Sequence, residues 1–150
     1  MKRQTGPIPL LNSAVFILSL AGFIMAIYVL QSFLKQSSIF CLSGGGCDAV
    51  RKSTASYPFG IPVPLFGAIG YLLLTILALF RSSSKNINIL KSMFAISLFG
   101  ICFVSWFTYT ELFVIHGICM WCGISTIVMY IVFGLILWQI RINSHERNIA

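Results

Sequence analysis

Four long stretches of this chain carry no charged residue: Gln4 to Leu34, Ser53 to Phe80, Ser92 to Thr110 and Leu112 to Ile140. Each can hold a helix of about 20 apolar residues, the length that crosses a hydrocarbon core of roughly 30 Å. Hydrophobic residues make up 58% of the 150 positions and charged residues only 9%, where soluble domains hold roughly a quarter charged. The expected class is an all-α integral membrane protein, a single domain over 1–150 with four spans.

The expected spans are about 11–34, 61–80, 88–114 and 118–140, with an outer loop at about 35–60. The first follows Lys2 and Arg3 like the start of a signal peptide. Its apolar run exceeds the ~7 to 15 residues of a signal core and no small-x-small cleavage site follows, so it is expected to stay as an anchor. The second starts near Ile61 or Pro62, because proline is tolerated in a first helical turn whose N–H groups lack partners. An even number of crossings puts both termini on one side. Lys2, Arg3, Arg81, Lys85, Lys91, Arg141 and Arg147 share that side, against Lys35, Arg51 and Lys52 on the other. The positive-inside rule then makes the termini cytoplasmic. The net charge of +7 is explained by topology and by attraction to anionic headgroups, with no nucleic acid required.

Four of the five cysteines form two couples. Cys41 and Cys47 fall in the first outer loop, and Cys119 and Cys122 at the outer end of the fourth span. Couples facing an oxidising compartment can exist as disulfides. Between Cys41 and Cys47 lie Gly44, Gly45 and Gly46, whose backbone freedom lets Cys47 swing between partners, as a shuttle requires. Asp48 to Ala55 is expected to form a short surface helix, with Arg51 and Lys52 facing water or headgroups. In Cys119-Met120-Trp121-Cys122 the spacing lets both sulfurs bond, and the helix N-terminus favours a thiolate. A zinc tetrathiolate from all four cysteines is the competing chemistry, but a five-residue gap in the first couple suits a zinc knuckle poorly. Cys102, mid-span and alone, reads as a small buried apolar residue.

The run from Cys41 through Cys47-Asp48-Ala49-Val50-Arg51-Lys52-Ser53, then Phe59-Gly60-Ile61-Pro62-Val63-Pro64-Leu65-Phe66-Gly67, and finally Cys119-Met120-Trp121-Cys122, closely resembles the vitamin K epoxide reductase family in its prokaryotic branch. The other four-helix disulfide-generating family, the DsbB type, places its C-x-x-C in the first outer loop instead. The resemblance implies a four-transmembrane-helix bundle around a quinone, a ubiquinone or a menaquinone, capped by the outer loop and set in a prokaryotic cell membrane. It implies that Cys41 forms the mixed disulfide with a reduced thioredoxin-fold (DsbA-type) partner, that Cys47 exchanges with Cys119, and that Cys122 faces the quinone. Ser53, Phe66 and Thr126 are implied near the quinone. Gly60 and Pro62 would shape the cap. Where vertebrate members carry an asparagine and a tyrosine, this chain has Val63 and Thr126, so quinone reduction is implied rather than epoxide reduction. Some prokaryotic members continue into a fused thioredoxin-like domain; the sequence given ends at Ala150, and the partner is expected to be a separate extracytoplasmic protein.

Two other readings remain open at this point: a thiol-based carrier or sensor of a soft metal ion in the membrane, and a structural four-span protein with two inert disulfides. Among the remaining polar residues, His116 is expected to be a solvated side chain at a helix end, its alternative being a proton relay. Glu111 is expected at the outer interface, where a carboxylate stays hydrated. Trp106, Trp121 and Trp138 fall toward span ends, as interfacial aromatics do.

Overall fold

The computed structural model describes residues 7–35, 46–84 and 86–149. Among them every regular element is helical: α1 (Pro7–Lys35), α2 (Gly46–Lys52), two single 3-10 turns (Thr54–Ser56 and Pro58–Gly60), α3 (Val63–Ser83), α4 (Ile87–Thr110), a π-helical turn (Glu111–Ile115) and α5 (Met120–Ile149). Four segments are long and apolar enough to cross a membrane: Ile8–Lys35, Val63–Ser83, Ile87–Ile115 and Met120–His145. The chain is a multi-pass membrane protein. Lys2, Arg3, Gly44, Gly45 and Lys85, which entered the readings above, lie outside the described residues, as does Cys41.

Local sequence sets the helix ends. Pro62 caps α3 in an extended conformation and Pro64 occupies its first turn, where a missing N–H costs nothing. Asn86 caps α4, its side chain accepting the Asn88 N–H at 3.0 Å. At the end of α3, buried Arg81 donates to the Asn86 carbonyl (3.1 Å) and to Asn143 Oδ1 (3.3 Å). That guanidinium ties the α3–α4 turn to α5, so a cation at the rim also fixes helix ends in place. α5 continues to Ile149, past the expected end at Ile140. Its last turns carry Arg141 and His145, both exposed, polar side chains that can reach from an apolar helix toward a headgroup layer.

The four long helices pack around Val15, Tyr71, Leu74, Ala78, Leu90, Met93, Met129, Val132 and Ile136. The outward faces are apolar too: Ile17, Leu72, Phe99 and Ile127 are all exposed. A helix apolar all round suits lipid on one side and protein on the other. Without a hydrophobic drive between helices, close approach matters more. Gly22 of α1 provides it, since a Cβ there would fall 2.6 Å from the Tyr71 ring. Cys102 corrects an expectation: it is exposed on the outer face of α4, because mid-span in a four-helix bundle means lipid-facing as often as buried.

Candidate active site

α2 and the turns after it lie across one end of the bundle. Ser56 is buried and its Oγ donates to the Val50 carbonyl at 2.6 Å. Tyr57 packs its ring 5.7 Å from that of Phe33 on α1. Gly60 takes φ +78, a left-handed turn that glycine adopts without penalty and that leads the chain into α3. These contacts fold the turns under α2 and pin them to α1, while α2 itself lies against the turn joining α4 to α5 through Gly46 and Ala49.

That contact explains one of the glycines differently from the sequence reading. A Cβ on Gly46 would overlap the Ile118 carbonyl, and one on Gly117 would lie 3.3 Å from the Ala49 Cβ. Gly46 therefore permits close approach of two backbones. Cys47 sits in α2, 2% exposed, and is disulfide-bonded. Arg51 is a second correction. It is buried, with its Nη2 2.9 Å from Asp48 Oδ1, because pairing one turn away within α2 neutralises a cation that packing has drawn inside. Lys52 remains exposed.

Cys47 shares a buried apolar cluster with Val50, Val63, Phe107 and Cys119, and Trp121 and Cys122 pack against it. The described member of the first couple thus lies in one cluster with both members of the second. Cys119 closes the turn ahead of α5, its carbonyl accepting the Gly123 N–H at 3.0 Å. Cys122 follows in the first turn of α5 and faces the same way. Both are free thiols. Cys119, just ahead of the fourth span, is held below the ordinary thiol range by the hydrogen bond from the Cys122 thiol.

Glu111 is a third residue that sequence reasoning placed wrongly, beside Cys102 and Arg51. It is 3% exposed, and the reason is the π-helical turn. One extra residue in that turn shifts the helical phase, and His116, in the left-handed conformation with φ 53, reverses the chain. The Gly117 N–H then closes back onto the Glu111 carbonyl at 3.2 Å. A carboxylate oxygen of Glu111 and the sulfurs of Cys119 and Cys122 lie within 4.8 Å of one another. The carboxylate accepts the Cys119 backbone N–H and meets the Cys122 thiol, while its Oε1 has no partner. His116 is exposed, in keeping with a solvated side chain. The one available signal for Glu111 was an isolated acid in an apolar run shortly before C-x-x-C.

On its other side Cys122 borders a cavity of about 410 Å³. Tyr71, Phe66, Phe103, Trp121 and Thr126 wall it, with the Phe66 and Phe103 ring centroids 5.7 Å apart. Trp121 leans on Tyr28 at 5.3 Å. Tyr71 donates to the Ser125 carbonyl at 2.8 Å, and Thr126 Oγ1 to the Cys122 carbonyl at 2.9 Å, so most wall hydroxyls are already engaged. Ile69 and Leu73 of α3 and Phe99 of α4 line the cavity and are also exposed on the outer surface. The space therefore reaches the lipid side between α3 and α4. Its flat aromatic walls and apolar character fit a quinone ring, and its lateral reach fits an isoprenoid tail.

The expected site residues fall as follows. Cys47, Cys119 and Cys122 come together, and Phe66 and Thr126 line the cavity, as does Val63. Ser53 is not among the lining residues; its Oγ accepts the Ala55 N–H at 3.3 Å and caps the first 3-10 turn. Cys41 lies outside the described residues. A family model, that of the vitamin K epoxide reductase family, matches residues 13–137. Comparison with curated proteins gives no match.

Proposed function

The chain belongs to the vitamin K epoxide reductase family, and from that premise we propose that it is a protein-dithiol:quinone oxidoreductase supporting disulfide bond formation. Membership makes it a membrane thiol-disulfide oxidoreductase that acts with a quinone. The observation that carries the finer reading is the position of Cys122, which borders the apolar cavity on one side and lies with Cys119 in the Cys47 cluster on the other.

In this reading a reduced thioredoxin-fold protein outside the cytoplasm attacks the Cys41–Cys47 disulfide at Cys41. The partner's second thiol then releases it as a disulfide, leaving Cys41 and Cys47 reduced. Cys47 attacks the Cys119–Cys122 disulfide at Cys119, and Cys41 resolves the resulting bond. Two electrons and two protons now reside on Cys119 and Cys122. A ubiquinone or menaquinone in the cavity would supply the terminal two-electron acceptor. Cys122 faces it, Cys119 closes the new disulfide, and the apolar walls exclude water that would divert the exchange. Phe66 and Thr126 form part of the wall; Ser53 shapes the loop above. The protein would sit in a prokaryotic cell membrane with both termini cytoplasmic and its cysteine couples on the far side.

Purified protein, a quinone and a reduced thioredoxin-fold substrate, followed by quinone absorbance, test the reaction. The wild type is expected to turn over and Cys122→Ser to fall to background. Undiminished turnover in that variant would refute the assignment.

A further inference from the structure

The geometry points to Glu111 as a catalytic proton acceptor for the Cys122 thiol, a role that rests on the reaction proposed above. For Cys122 to donate electrons its S–H bond must break, and two acceptor groups lie within 4.8 Å of its sulfur, the Cys119 sulfur and a Glu111 carboxylate oxygen. Cys119 sulfur is consumed, since it becomes the other half of the disulfide. Glu111 is not consumed and can serve every turnover.

Three observations set this carboxylate apart from a structural one. It is 3% exposed, yet among the described residues no cation pairs with it, whereas buried carboxylates held for structure are normally compensated. Oε1 is unpartnered and so has room for a proton. A π-helical turn followed by a left-handed His116 turns the side chain inward, and such local distortions are retained where position matters. Glu111 is not among the residues that line the cavity. It therefore stands behind the sulfur and leaves the ring side open.

The step balances without another reactant. Both S–H bonds of Cys119 and Cys122 break, one S–S bond forms, and the electron pair and both protons end on the quinone as quinol. Glu111 holds the Cys122 proton between the breaking of its S–H bond and its uptake by a quinone oxygen, and finishes as a carboxylate. Of the other charged or titratable groups near it, Asp48 and Arg51 on α2 pair with each other, Lys52 is exposed and Cys47 is in a disulfide. His116, on the same turn, is exposed.

Two measurements on Glu111→Gln decide the matter. The first uses reduced Cys119→Ser protein, with Glu111 or with Gln in its place, in detergent with no quinone, and reads alkylation of Cys122 by iodoacetamide against pH by mass spectrometry; Cys119 is removed because its thiol would share a proton with Cys122 in the same way. A thiol and a carboxylate that share one proton keep a constant thiolate fraction until that proton is lost. With Glu111 present the rate is therefore expected to show a flat interval, while the Glu111→Gln protein in the same background rises about tenfold per pH unit throughout the range below its titration. The second is turnover, where kcat is expected to fall about 100-fold while exchange with the thioredoxin-fold donor is kept. A Cys119→Ser profile without a flat interval when Glu111 is present overturns the assignment whether or not Glu111→Gln folds, as does a Glu111→Gln protein with wild-type kcat. A wild type that reduces no quinone refutes the reaction instead, and the alkylation profile still judges Glu111.

Discussion

Gln139 is fully buried in α5, and neither its Oε1 nor its Nε2 meets a partner. Leaving a buried polar group unsatisfied costs about 1–3 kcal/mol, whereas an apolar replacement of similar size removes that cost. Gln139→Leu is accordingly expected to raise thermal stability in detergent by about 1 kcal/mol, or roughly 2–4 °C; a lower melting temperature would mean that the amide is satisfied in the working protein. Residues differ in how openly the sequence declares them. Cys119 and Cys122 were legible because two residues between sulfurs is itself a chemical constraint. Glu111 was not, because whether a carboxylate at a span end is hydrated or buried depends on helical phase, which a single π-helical turn changes. Arg51 was misjudged for a related reason. Its charge predicts water, but Asp48 three residues earlier was enough to let packing take it inside.

At the scale of elements, the four spans follow from charge-free length alone, and helix starts from Pro62, Pro64 and Asn86. What charge and length do not encode is which face of a span meets lipid, since both faces are apolar; hence Cys102 was placed inside when it lies outside. The cavity was equally hidden. It exists because α3 turns Gly67 and Gly70 toward the space against Phe66, Phe103 and Trp121, and a Cβ built on either glycine meets nothing within 4 Å. That vacancy separates binding from thiol chemistry. Gly70→Leu should fold with wild-type stability, since its side chain enters open space, and keep its exchange with a thioredoxin-fold donor. Its turnover with quinone should drop at least tenfold, because the ring must compete with the new side chain for the same volume. Quinone titration of turnover, beside thiol counting after incubation with the donor, checks both halves. Wild-type quinone kinetics would move the acceptor site away from this cavity.

For the molecule as a whole, the arrangement has a direction only if the cap formed by α2 faces away from the cytoplasm. By sequence position, seven basic residues belong with the two termini and the segment between the second and third spans, and three with the segment between the first and second. Moving a Lys or Arg to the wrong side is resisted during insertion, and the bias acts over loops as short as these. Arg81 reinforces it from within, because its hydrogen bonds to Asn86 and Asn143 bind the basic end together. Two exposed positions report the outcome without touching the cysteine couples: His116, in the turn beneath the cap, and Ser84, after α3 at the basic end. In a background with all native cysteines replaced, His116→Cys should react with a membrane-impermeant maleimide in intact spheroplasts. Ser84→Cys should react only after permeabilisation. The reverse pattern would put the cysteine couples in the cytosol, where thiols are kept reduced, and would leave the proposed reaction in a compartment where its product disulfides do not persist.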